Sequence, residues 1–132
     1  MKKDRFFTAL VLIVLLHLGV TIAHGSAHSS EGIDLSPAEF VFVVAVIEIG
    51  PLAGLLWMRV NRRSGAMLIA LTMAGAFVFG LAKHFVIPGA DRVDYVRGPS
   101  HLLFETTAAL LAITELAASV LGIAFYRRRE NL

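Results

Sequence analysis

Histidine and glutamate residues inside or beside long apolar runs are the side chains of this sequence that could do chemistry. A charge at the centre of a membrane costs about 2.5–3.5 kcal/mol or more, so ionisable residues in such runs call for an explanation. Imidazole binds copper, zinc, iron and nickel well, and a carboxylate can complete the shell of ligands or orient one of them. The candidates are His17, His24, His84, His101, Glu48, Glu105 and Glu115.

Three histidines and one glutamate are the predicted metal ligands. Counted at about 1.5 Å per residue from the outer end of each predicted helix, His24, His84 and His101 fall near the outer boundary of the membrane, and Glu105 lies one turn deeper. His101 and Glu105 are four residues apart, so both can face one ion. The spacing matches no strict metal signature, and copper and zinc both remain open as the metal.

A haem site is the alternative use of the same histidines. His17 lies about two turns below His24 and within about one turn of the depth of His84. Gly19 and Gly80 could admit a flat macrocycle between helices. Ligation of haem b by His17 and His84 is therefore a second prediction.

Glu48 and Glu115 fall near the middle of their apolar runs. They are predicted to orient the ligands or to take part in proton transfer. Two other interpretations use the same polar residues. They could relay protons or a cation inwards, or they could only hydrogen-bond helices together. In the last case the chain would be a non-catalytic subunit of a larger membrane complex.

Four apolar runs must position these residues. Hydrophobic residues make up 57% of the 132-residue chain, above the roughly 45–50% of soluble domains. Each run approaches the ~20 residues that a helix needs to cross a bilayer, and only helices satisfy backbone polar groups there without neighbours. We predict an all-α, integral membrane, antiparallel four-helix bundle in one domain, with helices at about residues 6–24, 38–59, 65–87 and 101–126.

The basic residues predict the orientation of these helices. Arginine and lysine concentrate in cytoplasmic segments of membrane proteins, and here they lie before the first run, between the second and third, and after the fourth. These residues are Lys2, Lys3, Arg5, Arg59, Arg62, Arg63 and Arg127–Arg129. We expect both termini in the cytoplasm of a multi-pass cell-membrane protein. The first run also resembles a secretory signal, whose cleavage before His24 would leave three spans.

Composition narrows the partners and the chemistry. The chain has no cysteine, which excludes disulfides, thiolate metal sites and iron–sulfur clusters. The basic residues lie at the ends of apolar runs, so their expected partners are lipid headgroups and not nucleic acid. We also expect other membrane subunits or further copies of the chain as partners. No phosphate loop, nucleophile elbow or HExxH motif is present, so the chain is not predicted to be an enzyme on its own.

Overall fold

The computed structural model describes residues 5–128. Within this range the secondary structure consists of four long helices, and there is no strand. They are α1 (Arg5–Glu31), α2 (Pro37–Trp57), α3 (Arg62–Val86) and α4 (His101–Arg127). Each is long and apolar enough to cross a membrane, so the prediction of four such helices is confirmed. Which end of the bundle faces the cytoplasm stays a prediction. Part of its basis, Lys2, Lys3 and Arg129, lies outside the described residues.

Polar contacts at both ends show how the helices run. Ser30 near the end of α1 contacts Ser100 at the start of α4, with their hydroxyl oxygens 2.7 Å apart. Lys83 near the end of α3 pairs with Glu39 near the start of α2. These helix pairs are therefore antiparallel. We call this the histidine end of the bundle, and the opposite end, where the Arg63 guanidinium donates to the Tyr126 carbonyl, the arginine end.

Close helix contacts fill the half of the bundle nearer the arginine end. A Cβ atom on Gly122 of α4 would lie 2.7 Å from the carbonyl oxygen of Ala66 on α3, and one on Gly54 of α2 would lie 2.5 Å from Ile69. Small residues allow such approaches in membrane bundles. A buried apolar cluster lies in this half and includes Leu10, Val14, Met58, Ile69, Met73 and Phe125.

The first helix extends one to two turns beyond its predicted end at about residue 24. It continues through a segment rich in serine and ends at Glu31. Gly32, the next residue, has a φ of 66°. Glycine adopts this left-handed conformation without strain and commonly follows a helix. The extension places His28 on the helix, four residues after His24 and on the same face.

Two segments of π-helix interrupt the regular hydrogen bonding of α2 and α3. They are Val43–Ile49 and Ala82–Val86. In a regular α-helix the carbonyl of Ile47 would accept the N–H of residue 51, but Pro51 has none. Instead His17 of α1 places its Nε2 3.3 Å from that carbonyl oxygen. The π segments contain Glu48 and His84, in keeping with the frequent occurrence of such segments at functional sites.

Candidate metal centre

Three histidines from α1 and α3 meet at the histidine end of the bundle. A ring nitrogen from each of His24, His28 and His84 lies within 4.8 Å of the others. His24 and His28 lie on adjacent turns of α1, and their ring centroids are 4.8 Å apart. His84 comes from the π segment of α3, where its side chain is buried. This cluster could hold a metal ion.

Backbone carbonyls determine which nitrogen of two of these rings carries the proton. His84 Nδ1 lies 3.0 Å from the carbonyl oxygen of Asp91, and His28 Nδ1 lies 3.3 Å from that of Ile33. A carbonyl oxygen only accepts, so both Nδ1 atoms must donate. In the neutral rings the Nε2 atoms then keep their lone pairs, as a metal ligand requires.

The ring of His24 also carries its proton on Nδ1, because a threonine accepts from that nitrogen. Its Nδ1 lies 2.7 Å from Thr107 Oγ1. The Thr107 hydroxyl donates its one hydrogen to the Leu103 carbonyl, at 2.6 Å, so its oxygen accepts from His24. His24 therefore also keeps its Nε2 lone pair. Hydrogen bonds of this kind at the far ring nitrogen are the usual support of metal-binding histidines.

The Nε2 atoms of His24 and His84 face each other at 3.2 Å. Since both Nδ1 atoms donate elsewhere, two lone pairs meet across this short distance when both rings are neutral. Two nitrogens bound at about 2.0–2.1 Å to one tetrahedral zinc ion would be about 3.3–3.4 Å apart. The spacing therefore suits two ligands of a single ion.

An aromatic wall supports the three rings. Phe104 of α4 is fully buried, and its ring centroid lies 4.8, 4.9 and 5.4 Å from those of His24, His28 and His84. Because the wall is apolar, it limits the directions from which water reaches the cluster. Such a surrounding shell controls solvent access to a metal site.

A cavity of about 590 Å³ opens beside the cluster and is lined by residues of all four helices. The three clustered histidines line it. So do four acids, Asp34, Glu48, Asp91 and Glu115. Among the residues that the structure describes, no lysine or arginine lines it. The carboxyl groups of the cavity wall therefore favour cations and hydrogen-bond donors over anions.

Lys83 forms ion pairs next to this cavity. Its ammonium group pairs with Glu39 of α2 and lies 3.7 Å from a carboxylate oxygen of Asp91. Asp91 is the residue whose carbonyl accepts from His84. The ion pairs thus connect the start of α2 to the loop segment that orients a cluster histidine.

The predicted ligands divide into two groups. His24 and His84 lie in the cluster together with His28, which is not among the predicted ligands because the predicted first helix ends at about residue 24. The signal that could have found it is the four-residue spacing from His24. His101 and Glu105 are exposed, and His101 Nδ1 donates to the Gly98 carbonyl at 2.9 Å. Within residues 5–128 neither belongs to a group of three metal-ligating side chains.

His17 lies deeper and has protein partners at both ring nitrogens. Its Nε2 donates to the Ile47 carbonyl, and its Nδ1 lies 3.4 Å from Thr114 Oγ1. It is almost wholly buried, at 1% exposure. Its contacts link three helices where α2 is distorted by Pro51. Haem ligation by His17 and His84 stays a prediction.

Glu48 and Glu115 both reach the cavity. Glu115 is only 2% exposed, and its Oε2 has no hydrogen-bond partner among the described residues. A side chain built on Gly80 would begin 3.7 Å from this oxygen and 3.9 Å from His84 Cδ2. Glu115 is thus a near neighbour of the cluster.

The fold and the site together describe a four-helix protein suited to a membrane, with a three-histidine cluster beside an acidic cavity. Comparison with known proteins adds no relative: no family model, curated protein or solved structure matches the chain.

Proposed function

We propose that this chain is a small multi-pass membrane protein that binds a transition-metal ion through the Nε2 atoms of His24, His28 and His84. The observation that carries the proposal is the 3.2 Å separation of the His24 and His84 Nε2 atoms, with both Nδ1 atoms donating to oxygen. A cation between them removes the repulsion of the lone pairs.

A purely structural role fits these rings less well than it fits His17. A histidine that only joins helices has protein groups next to both ring nitrogens, as His17 does. The clustered rings instead donate outwards through Nδ1 and turn their other nitrogens towards one another or the cavity. This arrangement resembles a ligand set with its orienting hydrogen bonds.

Zinc or copper suits the donor atoms. Three imidazoles are a common ligand set for both metals, and the chain offers no thiolate. A three-histidine site leaves a further position for water or another ligand. The neighbouring cavity is the natural place for that position.

The proposed role is metal handling at the extracytoplasmic side of the membrane. Arg59, Arg62 and Arg63 lie between α2 and α3 or at the start of α3, at the end opposite the histidines, which supports a cytoplasmic arginine end. The apolar cluster in that half favours binding over conduction, since an ion leaving the cavity would meet Leu10, Val14 and Met73.

Metal analysis of the purified full chain tests the proposal. After equilibration with zinc or copper in detergent and removal of free metal, we expect about one ion per chain. His24→Ala, His28→Ala and His84→Ala should each lose most of it, while His101→Ala, an exposed histidine, should retain it. Size-exclusion profiles and helical circular dichroism verify that each variant is folded.

Two results would overturn the assignment. One is a wild-type chain that retains no metal, and the other is metal retention unchanged in folded variants of all three clustered histidines. Stoichiometric co-purification of another membrane protein, with no metal present, would favour the accessory-subunit alternative.

A further inference from the structure

The deep wall of the cavity contains an acid that no described group satisfies. Glu115 is 98% shielded from solvent, since its exposure is 2%, and its Oε2 has no hydrogen-bond partner within residues 5–128. A buried polar atom left without a partner costs roughly 1–3 kcal/mol, and more if it is charged. Because Glu115 lines the cavity, a hydrogen-bond donor bound there could supply the missing partner.

The charge of the cavity wall restricts that ligand to cations or hydrogen-bond donors. Its ionisable residues other than histidine are Asp34, Glu48, Asp91 and Glu115. The nearby cation, Lys83, is engaged by Glu39 and Asp91. The carboxyl groups of the wall therefore favour cations and hydrogen-bond donors over anions.

A second transition-metal ion fits the Glu115 region poorly. Within the described part of the chain, the three-histidine cluster is the one group of at least three metal-ligating side chains. An ammonium group needs fewer fixed partners, because its three N–H donors can share carboxylate and hydroxyl oxygens. Glu115, Glu48 and Thr21 all line this cavity.

The remaining walls suit the carbon skeleton of such a ligand. Between the acids and the cluster the lining is largely apolar and includes Ile47, Ala76, Phe79, Leu111 and Ala112. Small-molecule sites are mostly apolar cavities of about 300–1,000 Å³ with a few oriented polar groups. At about 590 Å³ this cavity has space for an alkyl or aryl amine beside an occupied metal site.

We propose that the cavity binds a small organic ammonium ion, with its charged nitrogen on Glu115 and its apolar part against the walls. This site goes beyond the proposed metal function and does not require a metal at the histidines. Its geometry rests on the free Oε2 of Glu115, the acidic lining and the apolar walls.

Titration with matched small molecules tests the proposal. The full chain in detergent is titrated calorimetrically with benzylamine, benzyl alcohol and benzoate, each corrected against empty micelles. We expect benzylamine to bind at least tenfold more tightly than benzyl alcohol, and benzoate to show no saturable binding. No saturable benzylamine binding, or equal affinity for all three compounds, would overturn the proposal.

Two variants connect the binding to Glu115. Glu115→Gln should weaken benzylamine binding tenfold or more, and Glu105→Gln, an exposed glutamate on the same helix, should leave it unchanged. Gly80→Ala adds a methyl group at ordinary contact distance from both Glu115 and His84. It should fold normally and still weaken the amine severalfold by narrowing the cavity. Unchanged affinity in both Glu115→Gln and Gly80→Ala would contradict the site.

Metal analysis of the same variants separates this proposal from the metal function. Glu115→Gln should still retain about one ion per chain. A wild-type chain that retains metal but shows no preference for benzylamine rejects the ammonium site alone. Benzylamine binding in a chain that retains no metal rejects the metal function alone.

Discussion

Nε2 of His24 and Nε2 of His84 lie 3.2 Å apart although the two residues are 60 positions apart in the chain. Each ring is held from behind through Nδ1, His24 by Thr107 and His84 by the Asp91 carbonyl. The helices therefore present two lone-pair donors to one point, and His28 approaches from the next turn of α1. The predictions below follow from this arrangement.

Thr107→Val should weaken metal binding without abolishing it. The substitution keeps the shape of the side chain but removes the oxygen that accepts from His24 Nδ1. Loss of such a supporting hydrogen bond typically costs 10–100-fold in metal affinity. Competition with a chromophoric chelator measures the change. Thr106→Val, at the exposed neighbouring position, is the control, and equal affinities in the two variants would contradict the role of Thr107.

Metal affinity should fall as the pH is lowered. Imidazole binds a metal only in its neutral form, so protons compete with the ion for the three ligands. Between pH 7.5 and pH 5.5 we expect the apparent affinity to fall by at least tenfold, with protons released on binding at the lower pH. Calorimetric titration in buffers of different ionisation enthalpy measures this release. An affinity independent of pH over this range would exclude imidazole as the main ligand.

His17→Ala should destabilise the protein and leave metal binding intact. The variant removes the His17 N–H from the Ile47 carbonyl, which cannot accept the usual i+4 hydrogen bond because residue 51 is proline. A lost partner of this kind costs about 1–3 kcal/mol, so the thermal unfolding midpoint in detergent should fall by several degrees. His101→Ala serves as the exposed control and should unfold like wild type. Loss of bound metal in a folded His17→Ala protein would place His17 among the ligands.

Lys83→Met should weaken metal binding by a smaller factor than Thr107→Val. The variant removes the ion pairs with Glu39 and Asp91. Asp91, whose carbonyl accepts from His84, is then held less firmly in position. The side chains of Lys83 and Glu39 are 28% and 25% exposed, so solvent screens the pair and its own contribution to stability is about 0–1 kcal/mol. Arg92→Met, which breaks the exposed pair with Asp94, should not change the affinity measured by chelator competition.

The four helices could be predicted from the sequence because a membrane-spanning helix is recognised by the average hydropathy of a long stretch of residues. A stretch of about 20 apolar residues in lipid has to satisfy its own backbone, and this holds whatever its neighbours are. The same argument locates the end of an apolar run and not the end of a helix. In α1 the apolar run ends at Ala23, whereas the helix continues to Glu31.

That difference explains why His28 is not among the ligands predicted from the sequence. A loop after residue 24 gives His28 no fixed direction, whereas the extended helix places it one turn after His24. Depth along the helix also does not bring His101 into the cluster of three histidines. His101 is the first residue of α4, level with the last turn of α1 through the Ser30–Ser100 contact, so it lies at the rim and is exposed.

The π segment at His84 and the pairing of Lys83 depend on tertiary contacts. A π segment is defined by a local change in hydrogen-bond register. The spacing of residue types in α3 does not predict such a change. Lys83 finds Glu39 and Asp91 only because α2 and the segment after α3 meet there. Glu48 and Glu115 both line the cavity, but whether the Glu115 Oε2 finds a partner among the described residues depends on how the helices pack around it.

X-ray absorption spectroscopy of the zinc-loaded protein identifies the atoms that bind the metal. We expect three nitrogen ligands at about 2.0–2.1 Å, with the outer-shell scattering characteristic of imidazole, and loss of this signal in folded His24→Ala and His84→Ala variants. A spectrum that lacks imidazole scattering, or one identical in wild type and both variants, would contradict the proposed three-histidine site.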